Sequence, residues 1–448
     1  KEMIRSMVID VLQGQKQENA SSESIKQAPR GQVEPGVFDT VDDAIQAAKA
    51  AQARFEDCTL ATREKVIADI RAAMRPRVQE LAQKTVEETG MGRIADKVLK
   101  LNLTLDKTPG VEDLVTECET GDNGMTLYEL SAYGVIGAIT PSTNPAETLI
   151  CNSIGMLAAG NAIFFSVHPG AKHLSRLLVS ELNQIIAKSI GIENLIVTLR
   201  EPSIESAQEM MLHPDVSLLV VTGGPGVVKQ ALQSGKKVIG AGAGNPPAFV
   251  DETADIKKAA QDIVLGASLD NNILCIAEKS VVAMRQIEPQ LVQEMVKVGC
   301  VLIENQQDIQ RLVDLTVLPN GTPNKQFVGK NASVILDAAH IPYNGDPRLI
   351  ILRTPKEHPF AVIEMLMPIL PVVTVDSFDE GLEVCLMLEA GLHHTATMHS
   401  LNMERLNCMA RKMKTSIFVK NGPSYAGLGF SGEGTTTFTI ATPTGEST

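Results

Sequence analysis

The chain has 448 residues, of which 44% are hydrophobic and 21% charged, and 40 Lys+Arg against 53 Asp+Glu leave a formal net charge of −13. This length exceeds one ordinary domain and predicts two large lobes. The acidic balance, with no Lys/Arg cluster, excludes a nucleic-acid binder, and apolar runs such as residues 154–165 are too short and too often broken by Gly and Asn to cross a bilayer. Seven cysteines (Cys58, Cys118, Cys151, Cys275, Cys300, Cys385 and Cys408) are scattered without a CxxC pair, which points to a reducing cytosol and away from zinc.

In chain order, residues 1–15 carry Ile4, Met7, Val8, Val11 and Leu12 on one stripe, the pattern of an amphipathic helix. Residues 16–36 are polar and rich in Ser, Gln and Pro, which reads as a flexible linker. A short helix on a tether is a docking device; the alternative is a terminal helix packed on its own domain or on an oligomer partner. Ordered structure is expected from Val37. Thr40 and Asp43 resemble a helix cap, and helical spacing runs through Thr89 to a stop at Gly90. From Tyr133 strands alternate with helices: strands over 135–140, 162–166, 195–199, 218–221 and 238–240, and helices over 146–159, 171–189 and 228–233. After Pro247 the alternation restarts with a strand at 248–250, a helix at 256–269 and a strand at 280–284. Such alternation implies an α/β fold of parallel, helix-covered sheets. The restart divides the chain into lobes at 37–243 and 244–428, with a C-terminal segment at 429–448.

A GxGxxG fingerprint is missing, because Gly240-Ala241-Gly242-Ala243-Gly244 runs into Asn245-Pro246-Pro247, which cannot open a helix. Thr222-Gly223-Gly224-Pro225-Gly226 joins a buried strand to a helix and is the better phosphate loop; a plain tight turn is the alternative. Cys275 follows Asp270-Asn271-Asn272, a turn that suits a partly exposed nucleophilic thiol, against the alternative of a small buried hydrophobe. Asn144 stands between Pro141 and Pro145 at a strand end, where a rigid amide suits an oxyanion donor and a simple turn explains it equally well. His393, His394 and Glu364 are open to acid–base or purely structural roles.

In order, Pro141–Pro145, Thr222–Gly226, Gly242–Pro247, Asn271–Cys275, Glu364–Pro368 and Asn421–Gly434 resemble the landmarks of the aldehyde dehydrogenase superfamily. The stretches 87–92, 108–113, 242–247 and 420–427 narrow the resemblance to the coenzyme A-acylating members of bacterial microcompartments, nearest the propionaldehyde enzymes of propanediol utilisation.

This resemblance implies a Rossmann-type cofactor domain over 37–243 and an α/β catalytic domain over 244–428. It also implies a C-terminal segment packing on the cofactor domain or on an oligomer partner. Cys275 then corresponds to the nucleophile and Asn144 to the oxyanion donor. Thr222, Gly223 and Gly224 correspond to the loop near the cofactor pyrophosphate, Ile139, Thr140 and Pro141 to the nicotinamide pocket, and Glu364 to the acid on the nicotinamide ribose. Ser166-Val167 replaces a Lys-Pro pair of hydrolytic relatives, a departure at the adenosine ribose that bears on NAD against NADP. Ala241 stands where those relatives keep their general base. The implied activity converts a small aldehyde, NAD+ and coenzyme A to acyl-CoA through a cysteine thioester, with propanal expected first and acetaldehyde as the alternative; a non-catalytic nucleotide-binding scaffold is the rival from another class. The resemblance further implies a homo-oligomer (dimer or tetramer), no metal, no membrane, and residence in a cytoplasmic microcompartment. There residues 1–15 would act as an encapsulation peptide on a shell protein.

Overall fold

The computed structural model describes residues 34–442, so the stripe from Ile4 to Leu12 lies outside the described residues. Strands are numbered in chain order. The first sheet is built from β1 (Val37–Phe38), β4 (Val135–Thr140), β5 (Ala162–Val167), β6 (Ile196–Leu199), β7 (Val216–Thr222) and β8 (Lys237–Ala241). Between β1 and β4, β2 (Glu117–Gly121) and β3 (Gly124–Tyr128) form a separate antiparallel hairpin. The second sheet holds β9 (Pro247–Val250), β10 (Ser280–Met284), β11 (Cys300–Ile303), β12 (Leu349–Arg353), β13 (Ile369–Val375), β14 (Thr395–His399) and β15 (Ile417–Lys420).

Both large sheets are wholly parallel, in the orders β1-β6-β5-β4-β7-β8 and β11-β12-β13-β10-β9-β14-β15. Parallel strands covered on both faces read as continuous apolar runs, and β4 (VIGAIT) and β5 (AIFFSV) are buried at every position. Each sheet has its own core. Phe55, Leu149, Phe164, Phe165 and Leu178 anchor the first, and Phe249, Ile263, Val282, Leu370 and Met409 the second.

The hairpin differs in kind, since every residue of β2 and β3 is exposed. Helix Val78–Thr89 ends on Gly90 at φ 66°, a left-handed cap that glycine adopts without penalty. Helix Ile94–Lys107, which the periodicity did not single out, follows it and carries two buried lysines. The segment after residue 429 packs back on the first lobe, where the Thr436 N–H donates to Lys107 O at 3.0 Å and the Thr442 N–H to Gly240 O at 3.4 Å.

Candidate active site

In the first sheet the strand order reverses between β4 and β7, and ligands of open α/β sheets bind outside the carboxyl ends of the strands at that point. Ile139 pairs with Val221, so Thr140-Pro141 and Thr222-Gly223-Gly224 leave the sheet side by side. Gly224 caps helix Pro225–Leu232, whose first position is Pro225. A Cβ built on Gly224 or on Gly226 meets nothing within 4 Å, so the backbone at the start of this helix has open space beside it, room that an approaching anion requires. The Thr140 hydroxyl is buried without a partner. A phosphate cradle and an unsatisfied hydroxyl on adjacent strand ends fit a nicotinamide dinucleotide. Thr222 is committed elsewhere, its hydroxyl 2.7 Å from that of Thr439.

Asn144 closes the turn after β4 and caps helix Pro145–Ala158 without a side-chain capping bond. Its side chain turns instead to Lys100, whose Nζ donates to Asn144 Oδ1 at 2.5 Å. Lys100 also pairs with Glu147 Oε1 at 2.9 Å and with Asp270 Oδ2 at 2.5 Å. Lys97, one turn earlier, donates to Asp270 Oδ2 at 3.0 Å and to Thr143 O at 3.2 Å. Both lysines are fully buried. Burial and the neighbouring Lys100 draw the Lys97 ammonium below its ordinary range. Burial also works against Lys100, but Asp270 and Glu147 outweigh it and hold its ammonium above that range.

Asp270 joins this network to the second edge of the site. Asp270, Asn271 and Asn272 stand at φ 50°, 56° and 67°, three successive left-handed residues without a glycine. Left-handed backbone costs roughly 1–2 kcal/mol per ordinary residue, less for Asn and Asp, so the turn persists because its side chains are fully engaged. Asp270 Oδ1 accepts from the Arg93 N–H at 2.7 Å. Asn271 Oδ1 accepts from Arg93 Nε at 2.9 Å, and its Nδ2 donates to Gly329 O and Asn331 Oδ1 at 2.8 Å each. Asn272 Nδ2 donates to Ala267 O at 2.7 Å and Glu278 O at 3.0 Å.

Cys275 follows and keeps part of its surface exposed. Loss of water around its sulfur, followed by the charge of Glu364, pushes the thiol up to about 12; Lys279 and the N–H groups of Cys275 and Ile276 oppose the shift. Glu364 accepts from the Gly244 N–H at 3.2 Å, and burial raises its carboxyl too. Lys279 is buried, and its Nζ donates to Asn272 O (2.7 Å), Asn272 Oδ1 (2.6 Å) and Leu274 O (2.9 Å). Burial brings its ammonium down to about 8. Glu278, also buried, accepts from Ser424 N and Oγ at 2.7 Å each, and burial raises its carboxyl to about 7. Both its oxygens are therefore occupied. His394 is buried with Nε2 unpartnered, burial holds it near 4, and a Cβ on Gly244 would meet both its ring (2.8 Å) and Cys275 O (2.7 Å). Gly244 thus has the His394 ring and the Cys275 carbonyl as close neighbours, and His394 borders the nucleophile loop.

Cys275 also packs on an apolar cluster of Leu103, Cys151, Leu269, Leu274, Ile276, Leu428, Phe438 and Ile440. Cys151, Leu428 and Ile440 of that cluster line a cavity of about 530 Å³ together with Asn152, Met156 and Thr436.

Lys100 and Asp270 thus link Asn144 to the loop of Cys275, Glu364 lies close enough for its charge to act on the Cys275 thiol, and Thr140, Pro141, Gly223 and Gly224 lie along the edge of the first sheet; Ile139 is buried within β4. Lys97, Lys100 and Lys279 were not singled out by sequence reading. Their only sequence signal is the i, i+3 spacing of two lysines beside Leu101 and Leu105 on one helix. No group of three or more His, Cys, Asp or Glu side chains arranged to hold a metal occurs among the described residues.

A parallel cofactor-type sheet facing a cysteine loop is the arrangement of the aldehyde dehydrogenases, and the model of the aldehyde dehydrogenase family matches residues 12–439. The chain belongs to that family. It is 52% identical over 414 residues to a propanal dehydrogenase (CoA-propanoylating) of Citrobacter freundii, covering 92% of this chain and 89% of the relative. The propionaldehyde dehydrogenase of Rhodopseudomonas palustris, solved with bound propionyl-CoA, is 48% identical with a TM-score of 0.90, covering 94% of this chain and 95% of that one. The same enzyme has been solved with bound CoA and an acylated cysteine, at 49% identity and TM-score 0.90, covering 92% of this chain and 95% of that one. A propionaldehyde dehydrogenase from the fucose utilisation microcompartment of Clostridium phytofermentans is 47% identical with a TM-score of 0.90, covering 92% of this chain and 95% of that one.

Proposed function

We propose that this chain is a coenzyme A-acylating aldehyde dehydrogenase that oxidises propanal with NAD+ and coenzyme A. The observation that carries this reading is the position of Cys275, packed on an apolar cluster and following a turn whose Asp270 is tied through Lys100 to Asn144 beyond β4.

The Cys275 sulfur attacks the aldehyde carbon and makes a thiohemiacetal, whose oxyanion is held by Asn144 Nδ2 and the Cys275 N–H. Bound NAD+ supplies the hydride acceptor. Loss of the hydride leaves a thioester on Cys275, and the coenzyme A thiol then takes the acyl group and returns the Cys275 sulfur. In the free enzyme Cys275 is a thiol, because Glu364 adds its charge to the effect of burial. With a nicotinamide cofactor bound, Glu364 would engage its ribose hydroxyls and share its charge, and the Cys275 thiol would then give up its proton to solvent to form the attacking thiolate.

Two features favour coenzyme A over water as acyl acceptor. Ala241, buried at the end of β8, stands at the position of the hydrolytic glutamate, and both oxygens of Glu278 are engaged by Ser424. General-base assistance contributes roughly 10²–10⁴-fold, which water needs and a thiol largely does not. The test is a steady-state assay with propanal and acetaldehyde. NADH formation should depend on coenzyme A, acyl-CoA should appear one for one, and kcat/KM should favour propanal. Equal turnover without coenzyme A, with free carboxylate accumulating, overturns the reading.

The same reading places the enzyme in a bacterial microcompartment, docked to a shell protein by residues 1–15, and as a homo-oligomer. Removing residues 1–15 should leave activity intact and abolish co-purification with shells; retained co-purification overturns the docking role. Sedimentation of the full chain reads the oligomeric state.

A further inference from the structure

The two amides assigned to the oxyanion share an arrangement. Each has its oxygen bound by a buried ammonium and its N–H end left to donate. Lys100 Nζ donates to Asn144 Oδ1, while Asn144 Nδ2 has Thr143 Oγ1 at 3.3 Å as its single weak acceptor. Lys279 Nζ donates to Leu274 O at 2.9 Å, and Leu274 O belongs to the peptide whose N–H is that of Cys275. This N–H donates to no backbone carbonyl among the described residues and acts only on the Cys275 sulfur itself, and Leu274 O accepts from the Ala277 N–H at 3.1 Å beside Lys279. In a trans peptide C=O and N–H point in opposite directions. A cation fixed on the oxygen therefore aims the N–H to the far side and draws electron density from it, as linked hydrogen bonds do in a low-dielectric interior.

Lys279 is the more telling of the two. All three of its acceptors are carbonyl oxygens, and only a protonated ammonium donates three times. No carboxylate lies within 4.0 Å of it among the described residues, whereas Lys97 and Lys100 are paired with Asp270. A buried cation without a partnering carboxylate is costly, and its field acts on whatever negative charge appears nearby. Cys275 feels that charge, which works against the rise of its thiol.

We propose that Lys100 and Lys279 are the positioning residues of the oxyanion hole: each grips the oxygen of one donor amide, Asn144 and the Leu274–Cys275 peptide, and so aims and strengthens its N–H. This rests on the assignment of Cys275 as nucleophile. The lysines act through the amides and do not touch the substrate.

The test compares two reactions of the same sulfur in the full-length enzyme. Single-turnover NADH formation from propanal passes through an oxyanion. Alkylation of Cys275 by iodoacetamide, a displacement at saturated carbon, does not. The variants are Lys279→Met, Lys279→Gln, and Lys100→Met combined with Glu147→Gln, which removes a carboxyl along with the ammonium. Folding is checked by thermal unfolding and cofactor binding. Removing a whole oxyanion donor costs about 10²–10³-fold, so misdirecting one should slow acylation at least about tenfold more than alkylation. In an Asn144→Ala background the Lys100 change should slow acylation less than about threefold further, because its route of action is gone. Should Lys279→Met fail to fold, Lys279→Gln, which keeps one donor group without the charge, carries the comparison. Acylation and alkylation falling in parallel, or an undiminished Lys100 effect in the Asn144→Ala background, overturns the proposal. Cys275→Ala separates the two failures: acylation surviving there overturns the nucleophile assignment itself.

Discussion

The two sheets carry their candidate site residues at opposite strand ends. In the first, functional residues lie at and beyond the strand ends: Thr140 closes β4 with Pro141 and Asn144 after it, and Thr222 closes β7 with Gly223 and Gly224 after it. In the second they precede them: Gly244 before β9, Cys275 and Lys279 before β10, Glu364 before β13 and His394 before β14. The first edge therefore meets helix N-termini, at Pro145 and Pro225, which favour negative charge; the second meets helix C-termini, at Ser268 and Glu389, which oppose it. A phosphate cradle costs little to build on the first edge. A thiolate on the second needs help, and Lys279 with the Cys275 and Ile276 N–H groups provides it. The two edges also keep their shape differently. Prolines and a glycine shape the first, whereas side-chain hydrogen bonds hold three left-handed residues on the second.

Each edge can be broken without the other. Cys275→Ala should remove single-turnover NADH formation by more than about 10³-fold, since covalent catalysis has no substitute for the thiol, while fluorescence titration shows NAD+ affinity unchanged. Disabling the first edge is subtler. Gly224 has φ −65° and open space beyond its Cα, so Gly224→Ala should leave stability within about 0.5 kcal/mol and weaken NAD+ binding roughly tenfold by keeping the pyrophosphate from the backbone. Asp270→Ala strands the buried ammonium of Lys97 and leaves Lys100 with Glu147 alone, and should cost about 3–5 kcal/mol in denaturant unfolding. A loss below about 1 kcal/mol would show that the second edge does not depend on its network.

The electrostatic contrast gives two finer tests. With the thiol near 12, alkylation of the free enzyme should climb about tenfold per pH unit from 7 to 10 without levelling. Glu364→Gln removes a negative charge, lowers the thiol pKa, and should speed alkylation several-fold at pH 8. Unchanged alkylation in that variant breaks the account of how Cys275 is held inactive. The smallest effect concerns Glu278, whose folded pKa near 7 lies above its ordinary value of 4.5. Between those values the folded chain binds more protons than the unfolded one. The stabilisation is complete below pH 4.5 and is lost as pH rises through 7. Glu278→Gln should flatten the wild-type fall in thermal stability across this window.

Much of this was legible in the sequence where periodicity governs. The strands expected at 135–140 and 280–284 have those bounds, and helix 256–269 ends one residue early, at Ser268. The turn before Cys275 was visible from Asp270-Asn271-Asn272, though not its run of positive φ, which depends on acceptors up to 60 residues away. The hairpin was invisible because Glu117–Gly121 and Gly124–Tyr128 bury no face and so carry no alternation. Lys97, Lys100 and Lys279 were missed for a related reason. A lysine in a sequence reads as solvated, and only the folded chain brings Asn144, Asp270 and the Leu274 carbonyl to its ammonium.

The turn before Cys275 also orders events during synthesis. Its acceptors include Gly329 and Asn331, Asp96 waits for Arg348, and Glu278 waits for Ser424. A chain still emerging from the ribosome cannot complete this surrounding until residue 424 is available. Until then Cys275 is an ordinary thiol, open to peroxide and to stray disulfides. Burial in the finished fold pushes the thiol up to about 12, so less of it is thiolate at a given pH. The finished enzyme thus keeps its sulfur in a form that tolerates an oxidising moment, with vulnerability confined to the interval before the last partner arrives.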